Sequence, residues 1–308
     1  MTDYAIETHA LTRYFGTRCV VDQLNLSVPR GSVFAFLGRN GSGKTTTIRM
    51  LMGLLSPTRG YATVLGQDCR ALGPGVRAKI GYLAEAHPVF GWMTVQQAEQ
   101  FQAASFPVWN HGIFQSVVDH FALASGARAA QLSRGERAGL ALALTLAAEP
   151  ELLILDDPAL GLDPVARRSL IEAMIFVTRS SDRTILFSSH ILADVERVAD
   201  HIAILDRSVL RAQCPMDYFR DHIAQYLLKF AAPPPTIPDI PGLLDSFRLG
   251  NDLRLTIANP SESTRAQLQA MDPLAIEPQA VNLEDAFIGY MADHRRPTSL
   301  LQSIGGAA

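Results

Sequence analysis

The stretch VFAFLGRNGSGKTTTIRM occupies residues 33–50 and decides the fold of this 308-residue chain. Its first five residues form a short continuous apolar run, which is typical of a strand buried on both faces of a sheet. A glycine-rich turn follows, and Ile48, Leu51 and Met52 then recur at the spacing of one helix face, which should end near Gly53. A buried strand, a tight turn and a helix in this order predict an α/β unit.

Residues 38–45, GRNGSGKT, fit the phosphate-loop pattern G-x-x-x-x-G-K-[ST] and lie between the strand and the helix, as that pattern requires. Glycines let the backbone curl until successive N–H groups point at an anion, and the helix N-terminus adds the positive end of its dipole. Lys44 supplies a point charge to the outer phosphates, and the Thr45 hydroxyl is placed to hold Mg²⁺. A chance glycine-rich turn is the alternative. The predicted nucleotide-binding residues of this loop are Gly38, Arg39, Asn40, Gly41, Ser42, Gly43, Lys44, Thr45 and Thr46.

Other apolar runs extend this pattern along the chain. Residues 152–155, 184–187 and 201–205 predict core strands with helical pattern between them, and such alternation favours a parallel sheet. Around residues 86–130 the pattern is helical, with Asn110 as a plausible cap, which indicates a helical insertion.

The composition changes at residues 231–242, AAPPPTIPDIPG, where five of twelve residues are proline. Such a segment continues neither a helix nor a central strand, so we interpret it as a linker or domain boundary. Beyond it, residues 253–257 and 275–281 predict strands, residues 261–271 predict a helix, and Asn282 would cap a last helix. These elements predict a small α+β unit.

Charge and composition narrow the function classes. The net charge of −3 and the pI of about 6.2 argue against a dominant nucleic-acid-binding surface, so no nucleic-acid partner is expected. The three cysteines are far apart and lack metal-site spacing, which is typical of reduced thiols in a cytosolic protein. The sequence begins with no secretory signal pattern and has no apolar run of about 20 residues. If the protein serves a membrane, another chain is expected to span it.

Three further motifs follow the phosphate loop. Residues 132–136 read LSRGE, residues 152–164 read LLILDDPALGLDP, and residues 188–190 read SSH at the end of a predicted strand. With the phosphate loop, this order resembles the ABC ATPase cassette, in which they are the signature, the Walker B strand with the D-loop, and the switch histidine. The resemblance covers roughly residues 4–219.

The resemblance implies an α/β, P-loop NTPase fold: a RecA-like parallel sheet core with an N-terminal antiparallel β subdomain and a helical subdomain, plus a small C-terminal α+β domain. We predict the nucleotide-binding domain at residues 1–222, with its helical subdomain at about 86–135. The small domain is predicted at 223–296, and a flexible tail at 297–308.

The resemblance also assigns roles to matching positions. Asp156 would hold Mg²⁺, and His190 would contact the γ-phosphate and stabilise the transition state. Asp163 of the D-loop would communicate across a dimer interface. Phe15 would stack on the adenine of ATP, with Tyr14 as the other candidate, and simple packing is the alternative for Phe15.

The signature implies a partner subunit. Ser133 opens a predicted helix, so backbone N–H groups there would form a second anion site, although a simple helix cap is the alternative. In the family this site binds the γ-phosphate of ATP held by the opposite subunit, so we expect a dimer with a second ABC ATPase subunit, identical or different. The signature residues that would contact ATP in this way are Leu132, Ser133, Arg134, Gly135 and Glu136.

Several positions depart from the family pattern. Asp157 stands where glutamate usually orients the attacking water, and its carboxylate would lie about 1 Å farther back, a misplacement that can cost on the order of 100-fold in rate. We hypothesise slow hydrolysis, or pairing with a subunit whose glutamate is intact; an aspartate that works adequately is the alternative. Glu85 replaces the usual glutamine and could approach Mg²⁺ directly, so Asp157, His190 and Glu85 are the predicted catalytic residues. Arg134 and Glu136 replace a glycine and a glutamine of the signature.

Glu85, Arg134 and residues 281–291, VNLEDAFIGYM, resemble the drug-, antibiotic- and sodium-exporting branch of bacterial ABC ATPases. The resemblance implies a separate transmembrane permease that holds this chain at the cytoplasmic face of the cell membrane. A groove for the permease would contain apolar residues of the helical insertion, namely Phe90, Trp92, Met93, Phe106 and Trp109. The alternative is that these residues belong to the ordinary core of the insertion.

The leading function is therefore an ATPase that drives export through a separate membrane subunit. Asp157 keeps a second possibility open, an ATP-binding switch with little hydrolysis. A soluble ABC protein acting on ribosomes or DNA is the third, but the sequence shows neither a second cassette nor a long coiled coil.

Overall fold

The computed structural model describes residues 3–179, 183–281 and 283–292. The chain forms two compact units, one of residues 1–199 and 207–209 and the other of residues 200–206 and 210–308. The predicted cap Asn282 and the predicted tail at 297–308 lie outside the described residues.

The first unit contains most of the predicted α/β elements. Its strands are β1 (Tyr4–Phe15), β2 (Arg18–Leu24), β3 (Ser27–Pro29), β4 (Val33–Gly38), β5 (Arg59–Val64), β6 (Gln67–Asp68), β7 (Ile80–Leu83), β8 (Leu152–Leu155) and β9 (Thr184–Ser189). Its helices are α1 (Lys44–Leu51), α2 (Pro74–Arg77), α3 (Val95–Ala103), α4 (His111–His120), α5 (Arg134–Ala147), α6 (Pro164–Arg179) and α7 (Leu192–Val198).

Two sheets form in this unit. An antiparallel sheet has the order β2-β1-β5-β6, with β3 also paired to β1, as expected for the N-terminal β subdomain. In the second sheet β4, β9, β8 and β7 lie side by side in that order, and all three pairs are parallel. Nearly every residue of β4, β8 and β9 is buried, which explains their continuous apolar sequences. The predicted fold class is confirmed.

The register of the parallel sheet brings the predicted site together. Leu37 pairs with Ser189, and Leu155 pairs with Phe187. The carboxyl ends of β4, β8 and β9 therefore meet at one edge of the sheet. Because each motif follows one of these strands, the phosphate loop and the residues after β8 and β9 also begin at that edge.

The predicted helical insertion at residues 86–130 contains α3 and α4. Thr94 and Gln97 form a capping box at the start of α3, and the Asn110 side chain accepts a hydrogen bond from the Ile113 backbone N–H, which confirms Asn110 as a cap. α5 is mostly buried, and a side chain at Gly139 would collide with the ring of Phe121. Close approach of α4 and α5 therefore requires glycine at this position.

The second unit contains the C-terminal elements. These are β10 (His201–Asp206), β11 (Val209–Pro215, from residue 210 in this unit), α8 (Met216–Asp221), β12 (Ile223–Lys229), β13 (Leu243–Leu249), β14 (Asp252–Ala258), α9 (Glu262–Gln269), β15 (Ala275–Gln279) and α10 (Leu283–Ala292). β12 to β15 form an antiparallel sheet in the order β13-β14-β12-β15, which confirms the predicted α+β character.

The proline-rich segment 231–242 is not a linker or a domain boundary, and this prediction is wrong. β12 lies before the segment, yet it pairs along its whole length with β14, which lies after it. Ile240 inside the segment is only 3% exposed and belongs to the apolar core under the sheet. The prolines therefore lie in a connection between two strands of one sheet. Residues without a backbone N–H are tolerated in such a connection.

Candidate functional site

A cavity of about 460 Å³ lies against the phosphate loop; we call it the P-loop cavity. Its lining residues come from the phosphate loop, from the start of the chain and from the ends of β7 and β8. They are Phe15, Arg18, Val20, Asn40, Gly41, Gly43, Lys44, Thr45, Thr46, Glu85, Asp156, Asp157 and Leu160. The structure thus brings most predicted ATP-binding residues together with the three predicted carboxylates.

The phosphate loop has the backbone conformation that its glycines allow. Gly41 and Gly43 have φ angles of 78° and 115°, in the region that side chains with a Cβ rarely adopt. Lys44 is 7% exposed, and its Nζ donates hydrogen bonds to the carbonyl oxygens of Gly38 at 2.7 Å and Arg39 at 3.3 Å. These two loop residues therefore position the lysine through their backbones rather than by lining the cavity.

The ammonium group of Lys44 faces three carboxylates. Burial lowers the pKa of Lys44, and the charges of Asp157, Asp156 and Glu85 oppose that lowering. Arg18 also lines the cavity, so two cationic side chains there meet three carboxylates, which leaves an excess of one negative charge. This excess favours a cation that accompanies a bound polyphosphate.

Asp156 is fixed by two hydroxyl groups. Its Oδ1 accepts hydrogen bonds from Thr45 Oγ1 and from Ser188 Oγ, both at 3.0 Å, and Ser188 Oγ in turn accepts one from the Asp157 N–H at 2.8 Å. Asp156 is 2% exposed, and burial raises its pKa while the two hydroxyl hydrogen bonds oppose that rise. Thr45 and Asp156 therefore present adjacent oxygen atoms at the cavity, a donor set that suits Mg²⁺.

Asp157 and His190 form a pair. Asp157 Oδ2 lies 2.9 Å from His190 Nδ1, and Asp157 is only 7% exposed. Its φ angle of 46° is unusual for a residue with a Cβ, so the turn after β8 holds it in a left-handed conformation. Its other oxygen, Oδ1, is buried and has no hydrogen-bond partner among the described residues. That oxygen is free to accept a hydrogen bond from a water or a ligand.

Phe15 lines the P-loop cavity and is 48% exposed, whereas Tyr14 is not among the lining residues. The Arg13 guanidinium lies 4.6 Å from the centre of the Phe15 ring. Of the two aromatic candidates, Phe15 is therefore the one available to a bound base. Arg18 and Val20 also line the cavity and were not predicted; a hairpin prediction from Gly16 would have placed them opposite β1.

The signature residues do not line the P-loop cavity. Ser133 caps α5, because its Oγ accepts from the Glu136 N–H at 3.2 Å and the Glu136 carboxylate accepts from the Ser133 N–H at 2.8 Å. A Cβ on Gly135 would lie 2.6 Å from the Cβ of Ala166, so glycine permits the close approach of α5 and α6. The structure therefore supports the interpretation of Ser133 as a helix cap. Because the signature residues do not line the P-loop cavity, they are not positioned to contact ATP bound there in the same chain.

Asp163 caps the following helix. Its Oδ1 accepts hydrogen bonds from the N–H groups of Val165 at 2.9 Å and Ala166 at 3.0 Å. These bonds hold the pKa of Asp163 below its ordinary value. Within the described chain this residue thus fixes the start of α6.

The residues predicted for a permease groove separate into two groups. Met93 is 4% exposed and belongs to the core. Phe90 and Trp92 are exposed, and with the exposed Phe101 they form an apolar patch whose ring centroids lie 6.1 Å (Phe90–Trp92) and 5.7 Å (Phe90–Phe101) apart. The two remaining groove residues, Phe106 and Trp109, are half-buried, so only part of the predicted groove is open surface.

The fold and the P-loop cavity define a P-loop nucleotide-binding protein, and comparison with known proteins gives the family. The chain belongs to the ABC transporter family, and residues 21–160 match that family directly. It is therefore an ABC ATPase, the class whose ATP hydrolysis drives transport. No helix within the described ranges has the length and apolar character needed to cross a membrane.

The relatives carry transport and export names. The bacitracin transport ATP-binding protein BcrA of Bacillus licheniformis is 32% identical over 224 residues, which are 72% of this chain and 73% of that protein. The Nod factor export ATP-binding protein I of Rhizobium johnstonii is 31% identical over 302 residues, covering 94% of this chain and 95% of that protein.

Solved structures agree with the fold. A structure of an ATP-binding subunit of an ABC transporter has a TM-score of 0.63 and 28% identity, and the match covers 70% of this chain and 92% of that one. A dimeric bacterial ABC transporter cassette has a TM-score of 0.61 and 19% identity, covering 68% and 98%, and shows the fold alone.

Proposed function

We propose that this chain is the ATP-hydrolysing subunit of an ABC exporter and drives a separate transmembrane subunit through ATP-dependent dimerisation. The observation that carries the proposal is the P-loop cavity, where Lys44 and Thr45 face Asp156, Asp157 and Glu85. Phosphate-binding and carboxylate groups are thus assembled around one cavity that also holds an exposed aromatic ring.

In this proposal the triphosphate lies in the phosphate loop. The loop N–H groups and the α1 N-terminus bind its oxygens, and Lys44 neutralises the outer phosphates. The adenine stacks on the Phe15 ring, against which the Arg13 guanidinium already lies. Arg18, which pairs with Phe15 across the β1–β2 hairpin, also lines the cavity and adds a positive charge near the nucleotide.

Thr45 and Asp156 would hold the Mg²⁺ that accompanies ATP, and Glu85 is a third ligand candidate. The fit rests on the adjacent oxygens of Thr45 and Asp156, 3.0 Å apart, and on the excess negative charge at Lys44. Bound there, Mg²⁺ would supply charge neutralisation to the phosphates. Few protein ligands suffice, because Mg²⁺ usually keeps phosphate oxygens and waters as its other ligands.

Hydrolysis requires a group that orients water and a group that stabilises the developing charge. Asp157 Oδ1, which has no partner among the described residues, is placed to accept a hydrogen bond from the attacking water. His190 Nδ1 lies 2.9 Å from Asp157 Oδ2, which fixes the ring and leaves Nε2 to contact the γ-phosphate. Because Asp157 is shorter than glutamate, we expect slow turnover.

A second cassette would complete the site. The signature residues 132–136 lie away from the cavity of their own chain, and the α5 N-terminus offers an anion site to a partner's nucleotide. Asp163 fixes the neighbouring start of α6 and would place the D-loop at the same interface. This arrangement supports a dimer with an identical or a related subunit.

The membrane partner would contact the apolar patch of Phe90, Trp92 and Phe101. Exposed clustered aromatic rings on one subdomain are typical of a protein interface. The export names of relatives that match over nearly the whole chain support export as the direction. The chain would then work at the cytoplasmic face of the membrane.

The domain limits follow from the same proposal. We place the cassette at residues 1–222 because the motif resemblance extends to about residue 219, although the second compact unit already begins at residue 200. Residues 223–296 form the small domain, whose antiparallel sheet includes β12 from Ile223 onward.

Steady-state phosphate release by the purified chain with Mg²⁺ and ATP tests the proposal. Turnover that is lost in Lys44→Ala and kept in Lys79→Ala supports it, because Lys79 is an exposed residue whose side chain forms a surface ion pair with Glu151. ATP binding without Lys44-dependent turnover would favour the ATP-binding switch. A chain that binds no ATP would contradict both.

The membrane contact needs its own test. Co-sedimentation of the chain with permease-containing membranes should fall in a Phe90→Ser, Trp92→Ser double variant. The matched control is Leu249→Ser, another exposed apolar residue, in β13. Equal co-sedimentation of the two variants would argue against the apolar patch as the docking surface.

A further inference from the structure

His87 is a buried residue that no sequence motif identified. It lies two positions after Glu85, is 5% exposed and has a φ angle of 46°. Its Nε2 lies 2.8 Å from the carbonyl oxygen of Pro158, 71 positions further along the chain. Because a carbonyl oxygen can only accept, Nε2 carries the proton and donates this hydrogen bond.

The acceptor belongs to the turn that holds Asp157. Pro158 follows Asp157 directly and has no N–H with which to form a hydrogen bond of its own. The same turn contains the Leu160 N–H, which donates to the Asp157 carbonyl oxygen at 3.0 Å. The left-handed φ of Asp157 is costly for a residue with a Cβ, so the surrounding contacts must maintain it.

The imidazole is suited to a fixed donor role. The imidazole is only 5% exposed, so little of it can contact solvent. Its Nε2–H is therefore committed to the Pro158 carbonyl oxygen. The hydrogen bond thus ties the segment after β7 to the turn after β8.

We propose that His87 is a positioning residue for ATP hydrolysis, whose hydrogen bond to Pro158 keeps the Asp157 carboxylate directed at His190 and the P-loop cavity. The segment that carries His87 continues three residues later into Phe90 of the apolar patch. This inference rests on the proposed function, and its tests are chosen to separate the two.

Two matched variants test the proposal. His87→Gln keeps an N–H donor at the distance of Nε2, whereas His87→Met keeps a side chain of similar length without a donor. Both retain a Cβ at the same left-handed backbone position, so both carry a similar backbone cost. A third variant, His120→Met, is the control, because His120 is exposed and also contacts a backbone carbonyl, that of Ser169 at 3.1 Å.

In steady-state assays His87→Met should lower kcat about tenfold, a fraction of the roughly 100-fold expected for a 1 Å misplacement. KM for ATP should stay within about twofold, since His87 does not line the cavity. His87→Gln should recover most of the kcat, and His120→Met should match the wild type. Equal kcat for the Met and Gln variants, or a loss confined to KM, would overturn the proposal.

Hydrogen exchange gives a readout that needs no turnover. The Leu160 amide should exchange roughly three- to tenfold faster in His87→Met than in the wild type, because one hydrogen bond supporting the turn is lost. His87→Gln should show the wild-type rate. Unchanged exchange in His87→Met would refute the positioning role, whereas a wild type without Lys44-dependent turnover would refute the proposed function instead.

Discussion

Replacing Asp157 by glutamate should raise ATP turnover. Asp157 is 7% exposed, with its Oδ2 2.9 Å from His190 Nδ1 and its Oδ1 without a partner among the described residues. One added methylene moves the carboxylate about 1 Å farther from the backbone, and a misplacement of that size can cost roughly 100-fold in rate. We therefore expect a gain of about 10- to 100-fold, equivalent to about 1.4–2.7 kcal/mol in activation free energy.

The assay is steady-state phosphate release at saturating ATP, with thermal shift by ATP as a separate measure of binding. Asp157→Asn, which removes the charge, should fall below the wild type while still binding ATP. Asp217→Glu is the control, because its side chain is 93% exposed in the second unit, and it should leave turnover unchanged. An Asp157→Glu variant that binds ATP normally yet turns it over no faster than the wild type would refute the reasoning.

Three further outcomes concern stability. Gly139→Ala should lower the free energy of unfolding by about 1–3 kcal/mol, because the added methyl meets the ring of Phe121; an unchanged calorimetric Tm would contradict this. Ser133→Ala should cost about 1 kcal/mol in urea unfolding, and Ser133→Asp, which keeps a capping oxygen, should cost clearly less. Below about pH 6.5 stability should fall, because burial lowers the pKa of His87 in the folded state and the unfolded state takes up its proton first. This contribution is complete above the unfolded pKa and is lost as pH falls through the folded one, with a slope of at most about 1.4 kcal/mol per pH unit. His87→Gln should remove this contribution, whereas that of His201, whose pKa burial also lowers, should remain.

The parts of the structure that the sequence predicted depend on local pattern. The strand β4, the phosphate loop and α1 are adjacent in sequence, and their apolar spacing and glycines suffice to predict them. β7 was not predicted as a strand, since it has only four residues and one is glycine. A Cβ on Gly81 would meet the side chains of Leu153 and Thr145, a constraint that exists only once the sheet has formed.

Contacts between residues that are distant in the sequence could not be predicted from local sequence pattern. The proline-rich segment was misread because the burial of Ile240 depends on strands that the chain reaches later. The hydrogen bond from His87 to Pro158 joins two loops, and nothing in the sequence of either loop indicates that it contacts the other. The family resemblance supplied Asp157 and His190 as separate residues, and only the register of β8 and β9 brings them within 2.9 Å.

The position of β12 has a practical consequence for shortened forms of the protein. β12 is paired on both sides, by β14 and β15, and both of those strands follow the proline-rich segment. A chain that stops within residues 231–242 would keep β12 with two open edges, and open edges recruit strands from other molecules. A cassette produced alone should therefore end before Ile223. The composition change at the prolines suggests a later end point, but a chain that ends there is expected to aggregate.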